Sequence, residues 1–203
     1  MIHVQKSETD IWTVVLDRPE KANALTAEML ESMIKTMHEA KAARGLILTG
    51  AGKVFSAGAD LDAAHNGLAI SPLWEELSSA VAALPCLTIA ALNGAMAGGA
   101  NGMALACDLR IAAHEVKIFY PVMKLGFLPQ PSDVKRLKAL IGPARTKMIL
   151  AAGQKIPAAE ALSWGLVDRI VPPEQLINTA HDLLHDASHA RPELAHEILQ
   201  VCR

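Results

Sequence analysis

Residues 93–108 read NGAMAGGANGMALACD and follow the apolar run Leu87 to Leu92. A short apolar run ahead of a Gly-rich turn is the pattern of a buried strand, and the small residues after it open a helix. Residues 50–61 read GAGKVFSAGADL and follow a similar run, Leu46 to Thr49. Small residues at both turns let the backbone N–H groups of Ala59 and Gly99 approach one ligand atom, which is how a protein builds an oxyanion hole. At Gly98-Gly99 a helix begins, where free N–H donors favour negative charge.

Around these segments the chain alternates between strand and helix patterns. Ile2 to Lys6 and Ile11 to Leu16 are β-like runs separated by a polar turn, which predicts a hairpin. Thr26 is a helix cap, and Leu30, Met33, Ile34 and Met37 recur at helical spacing as far as about Ala43. Gly45 to Gly50 is a short buried strand. Residues 62–70 read as irregular. Ser71-Pro72 starts a helix that Leu84-Pro85 stops. Leu109 to Ala113 and Val116 to Tyr120 are two further strands. Ser132 is expected to cap a helix to Leu140, broken at Gly142-Pro143 and resumed to Ala152. Pro157 to Trp164 is a helix ended by Gly165, Val167 to Val171 a strand, and two helices start at Pro173 and Pro192. Strand-strand-helix units recur loosely. Residues 1–190 read as one domain, and residues 191–203 as a short C-terminal helical segment.

Composition excludes several classes. The 203 residues are 51% apolar and only 3% aromatic, which suits an α/β core of small side chains. A net charge of −2 and no run of Lys and Arg give no electrostatic case for nucleic acid. Three separated cysteines, Cys86, Cys107 and Cys202, make neither a disulfide frame nor a zinc site, and suit a reducing compartment. The polar start MIHVQKSETD is not a signal peptide, and the longest weakly polar stretch is too short for a membrane span. The expectation is a soluble cytoplasmic protein.

Competing motifs fail on their own terms. Gly50-Ala51-Gly52 lacks the third glycine of a dinucleotide loop, because Phe55 stands there, and Lys53 precedes Val54 instead of a phosphate loop's Ser or Thr. His181, His185 and His189 are four residues apart on a predicted helix, a spacing that metals can use. No carboxylate or cysteine cluster accompanies them, so a solvated face is the expectation. His65 follows the first donor segment and is a weaker site candidate. No G-x-S-x-G elbow is present.

Taken together the two donor segments match a family. The chain resembles the enoyl-CoA hydratase/isomerase family, the crotonase superfamily, over about residues 2–185. LDRPEKANAL at residues 16–25 is similar to that family's adenine-side loop, VFSAGADL at 54–61 to its first oxyanion segment, and ALNGAMAGGANGMALACDLRIAA at 91–113 to its second. KLGFLPQPSDVKRL and GQKIPAAEALSWGLVDRIVP continue in register. The resemblance implies a crotonase-like (ClpP/crotonase) α/β spiral of strand-strand-helix units that binds an acyl-CoA thioester. It implies that the Ala59 and Gly99 amides bind the thioester oxygen, and that backbone near Lys21, Ala22, Ala57, Asp60 and Leu61 holds the CoA. Lys21 meets a phosphate or is a mobile surface lysine. No metal or other cofactor is implied, a homo-oligomer is (trimer or hexamer), and fatty acid metabolism is the expected setting.

The chain also departs from the family pattern. The resemblance places one family glutamate at Gly102 and the second at Val122, and an aspartate of some members at Gln130. Hydration of an enoyl-CoA needs a base to activate water and an acid to protonate carbon, and Gly and Val supply neither. Asp133, three residues past Gln130 on one predicted helix, is either a substitute acid–base group or a first-turn carboxylate that the dipole keeps ionised. Tyr120, Glu75 and Glu76 are weaker candidates. Ending at Arg203, the chain is expected to have a shortened C-terminal helical region, leaving a pocket more open or covered by a neighbour. Two readings follow: an enzyme that stabilises a thioester enolate (a lyase, isomerase or decarboxylase), or a non-catalytic acyl-CoA-binding or subunit-interaction protein. The intact donor segments favour the first, and the vacated acid positions the second.

Overall fold

The structure, a computed structural model, describes residues 1–202. The chain opens with β1 (Ile2–Lys6) and β2 (Ile11–Leu16), paired antiparallel as the polar turn between them predicts. Then follow α1 (Ala27–Glu39), β3 (Gly45–Gly50), β4 (Val54–Ser56), α2 (Leu61–His65) and α3 (Leu73–Ala82). Next are β5 (Leu87–Leu92), β6 (Ala95–Ala97), α4 (Ala100–Ala106), β7 (Leu109–Ala113), β8 (Lys117–Phe119) and α5 (Val122–Leu125). The chain continues through α6 (Pro131–Leu150), β9 (Ile156–Pro157), α7 (Ala158–Trp164), β10 (Arg169–Val171), α8 (Leu176–His189) and α9 (Pro192–Cys202).

These elements wind as a spiral. A six-stranded sheet has the order β1-β2-β3-β5-β7-β10, and a four-stranded sheet the order β4-β6-β8-β9. Three successive turns each place one strand in the large sheet (β3, β5, β7) and the next in the small one (β4, β6, β8). Within each sheet these strands pair in parallel. The loose recurrence of strand-strand-helix units in the sequence is this winding.

A parallel sheet must be covered on both faces, and the alternation along β3 shows how. Leu46 and Leu48 face a core shared with Leu30, Met33 and Met37 of α1 and Leu77 and Val81 of α3. Ile47 points the other way, with Ile89 and Ile111, against Leu176, Ala180 and Leu184 of α8. Thr26 caps α1, its side chain accepting from the Met29 N–H. Together these burials seal the large sheet and leave the ends of the small strands free to build a site.

Several local expectations need correction. Residues 61–65 form a helix rather than irregular chain, because Asp60 caps it, accepting from the Asp62 and Ala63 N–H groups. β4 and β6 have three residues each and are too short to show a period. Ser132 is not the cap of α6: that position is Gln130, with Pro131 in the first turn. The Ser132 N–H instead donates to Glu75 Oε1 at 3.0 Å. The break expected at Gly142-Pro143 is present: Gly142, at φ 75° and ψ 169°, is non-helical and kinks α6, which resumes directly after it. Among the described residues no helix is long and apolar enough to cross a membrane.

Candidate active site

The turns that leave β4 and β6 meet at one end of the small sheet. The first turn is held by the segment before α1 and by the hydroxyl of Ser56. Asn23 donates to the carbonyls of Ala51 and Val54. Ser56 Oγ donates to the Asn23 carbonyl at 2.7 Å and accepts from the Gly58 N–H at 3.1 Å. Gly58 has φ +88°, and a Cβ there would lie 2.7 Å from the Ala97 carbonyl, so only glycine lets the two turns touch. Leu25 then pairs with the turn on both sides of Ala59: its N–H donates to the Gly58 carbonyl, and its carbonyl accepts from the Asp60 N–H. In a parallel bridge of that register the Ala59 N–H points away from Leu25. It donates to no group among the described residues.

The second turn reaches the same result by other means. The Gly98 N–H is spent on the Phe119 carbonyl of β8. Asn101 lies buried in α4 and donates to the Gly98 and Phe119 carbonyls at 2.8 and 3.1 Å, fastening the turn to the sheet. Among the described residues the Gly99 N–H has no acceptor. Trp74 of α3 lies flat against Gly99, since a Cβ at Gly99 would come within 2.8 Å of its ring. The Trp74 Nε1–H donates to the Leu68 carbonyl, which sets the ring.

Ala59 and Gly99 border one cavity of about 480 Å³. Its wall is mostly apolar, with Leu61, Trp74, Phe119, Val122 and Phe127 among the lining residues. Ala57, His65, Tyr120 and Gln130 also line it, so the two short donor segments and two of the weaker candidates are brought together. Val122 supplies only an apolar surface. Lys21 and Ala22 lie in the loop before α1, where the Ala22 carbonyl accepts from the Ala57 N–H at 2.9 Å. Lys21 is exposed. The Asp60 carboxylate is committed to Arg18 at 2.7 Å and to its cap, and these bonds hold it below the usual carboxylate range.

Asp133 departs most from expectation. It was expected to be ionised by the helix dipole. It is instead 1% exposed, behind the cavity wall, and burial pushes its carboxyl up to about 6. Desolvation therefore outweighs the dipole. The Tyr120 hydroxyl donates to Oδ2 at 3.0 Å, while Oδ1 has no hydrogen-bond partner. Burial, and then the carboxylate beside it, push the Tyr120 phenol above its ordinary range. Gly102 explains how a carboxylate fits there: a Cβ at Gly102 would lie 2.8 Å from Oδ1. The missing side chain on α4 is the space that the Asp133 carboxylate fills.

The remaining candidates lie elsewhere. The rings of His185 and His189 stack with centroids 4.4 Å apart on the exposed face of α8, and no metal-holding cluster occurs among the described residues. Cys86 and Cys107 are buried, and burial pushes the Cys107 thiol up to about 12. Asn101 and Trp74 were missed as positioning residues. The signal for Asn101 was present, as the single polar side chain in the small-residue run of α4.

The comparisons agree with this architecture. A family model described as enoyl-CoA hydratase/isomerase matches residues 6–200. The chain is similar to the short-chain-enoyl-CoA hydratase of Clostridium acetobutylicum, 33% identical over 189 residues, covering 89% of this chain and 72% of the relative. It is also similar to the 1,2-epoxyphenylacetyl-CoA isomerase of Escherichia coli, 33% identical over 193 residues and covering the same shares. Among solved structures, an enoyl-CoA hydratase from Bacillus anthracis superposes with a TM-score of 0.89 at 31% identity, covering 98% of this chain and 82% of the other.

Proposed function

We propose that this chain, which belongs to the enoyl-CoA hydratase/isomerase family, acts on an acyl-CoA thioester and holds its carbonyl oxygen between the Ala59 and Gly99 N–H groups. One observation carries this reading. Two backbone donors without acceptors border the same apolar cavity, each fixed by a separate set of hydrogen bonds. Donors that are already oriented stabilise an enolate oxygen more than a ground-state carbonyl, because nothing need reorganise when charge develops. The apolar wall suits an acyl chain, and its low polarity strengthens the donor–oxyanion attraction.

The chemistry within this class is enolate formation and quenching, as in an isomerase, lyase or decarboxylase. Hydration is disfavoured, because it needs two proton-handling groups around an activated water and Gly102 and Val122 carry none. The relatives named as hydratases and as an isomerase support the ligand class and leave the reaction open. Calorimetry with acetyl-CoA and a longer acyl-CoA tests the proposal. Binding that strengthens with the acyl chain is expected, and no binding at millimolar ligand overturns it.

A further inference from the structure

We infer that Tyr120 is the group that moves a proton at the bound acyl chain, with Asp133 behind it as the proton acceptor that completes the transfer. This deepens the thioester reading above and rests on it. Tyr120 belongs to the cavity wall, and Asp133 does not. Their side chains share one hydrogen bond, Tyr120 O–H to Asp133 Oδ2 at 3.0 Å. The phenol therefore links the cavity to the buried carboxylate by a direct hydrogen bond.

The step balances as a relay. The phenol oxygen takes a proton from a carbon next to the thioester carbonyl, and its own proton passes to Asp133 Oδ2. The C–H electron pair becomes the enolate, whose oxygen rests between Ala59 and Gly99. Reversal returns the proton to the same carbon or, for a β,γ-unsaturated chain, to the γ-carbon, which moves the double bond. A phenol held above its ordinary range is a poor base alone, so passing the proton on is what makes the step accessible. Asp133 acts through Tyr120 and is a positioning and accepting residue, while Tyr120 is the catalytic one.

Its surroundings suit that task. The charged and titratable groups around Asp133 are Tyr120 from the loop after β8, Arg136 on its own helix and Glu75 on α3. Arg136 lowers its pKa and Glu75 raises it, while α4 contributes no titratable side chain. Arg136 itself donates to Ser78 and Ser132, not to the carboxylate. Burial dominates and holds the carboxyl at about 6, where it can both accept and release a proton near neutrality. The unpartnered Oδ1 leaves the carboxylate less stabilised than ordinary hydrogen bonding would make it.

A β,γ-unsaturated probe, trans-3-hexenoyl-CoA, tests the relay with the intact chain in D2O. Mass spectrometry follows deuterium uptake into the acyl group, and calorimetry follows binding. The parent is expected to exchange, with a rate that rises with pH through about 6 as Asp133 ionises. Tyr120→Phe is expected to bind as the parent does and to exchange about 10²-fold more slowly or worse. Asp133→Asn is expected to lose a similar factor and to lose the rise with pH. Exchange within about twofold of the parent in either folded variant overturns the relay, the threshold being set by the usual size of acid–base effects. So does a parent rate that is flat from about pH 5 to pH 8, a readout that needs no variant. A parent that binds the probe but does not exchange it sinks the relay alone. A parent that does not bind it sinks the thioester reading as well.

Discussion

Asp133 and Gly102 form one unit at the scale of single residues. A carboxylate at one position needs the absence of a side chain at the other, since a Cβ at Gly102 would press on Oδ1 at 2.8 Å. Gly102→Glu is therefore expected to destabilise by about 1–3 kcal/mol through overpacking, with like charges adding to it. Combining it with Asp133→Gly is expected to recover part of that loss, a coupling of about 0.5–3 kcal/mol readable in a thermal-denaturation cycle. Losses that simply add would show the two positions to be independent. Asp133 also has a stability signature. Its folded value of about 6 lies above the ordinary 3.8, so the folded state binds the extra proton. Its favourable contribution is present below 3.8 and is lost as pH rises through about 6, a swing of about 3 kcal/mol. Asp133→Asn should therefore be about 1–3 kcal/mol more stable than the parent near pH 8 and gain little near pH 4. A variant less stable than the parent near pH 8 would contradict this.

At the scale of elements, the site depends on two turns whose geometry is set by neighbours rather than by their own length. Trp74 closes over Gly99, and the Leu25 pairing aims Ala59. Gly99→Ala is expected to cost about 1–3 kcal/mol, because the ring cannot yield without breaking the Trp74–Leu68 hydrogen bond. The same change should weaken acyl-CoA binding, seen by calorimetry. Ala59→Pro removes one donor outright, and turnover is expected to fall about 10²–10³-fold in protein that circular dichroism shows to be folded. Unchanged turnover in such protein would remove that donor from the mechanism. α2 and the two short strands of these turns were not legible in the sequence. Three residues carry no usable period, and the capping role of Asp60 shows only once Arg18 is seen to orient it.

On the scale of the whole molecule, the spiral separates support from chemistry. α8 covers one face of the large sheet through Leu176, Ala180 and Leu184, none of which lines the cavity. Leu184→Ala is expected to cost about 2–5 kcal/mol of stability and to leave acyl-CoA affinity unchanged, by denaturation and calorimetry respectively. A large loss of affinity in the folded variant would show that the two faces are coupled. Much of this architecture was written locally. Strand-length apolar runs, Thr26 as a cap, Gly165 as a stop and the small residues around Ala59 and Gly99 each act through backbone sterics or burial within a few positions. That is why the main strands, most helices, the two small-residue turns and the family could be read from the chain alone. The sign of the Asp133 shift could not. A helix dipole is visible in a sequence, but desolvation depends on what packs around the carboxyl, and Tyr120, Glu75 and Gly102 come from three other elements. The sequence determined which groups this protein carries, and tertiary packing decided that one carboxylate would be buried behind a phenol, because only the folded chain removes the water that would have kept it an ordinary acid.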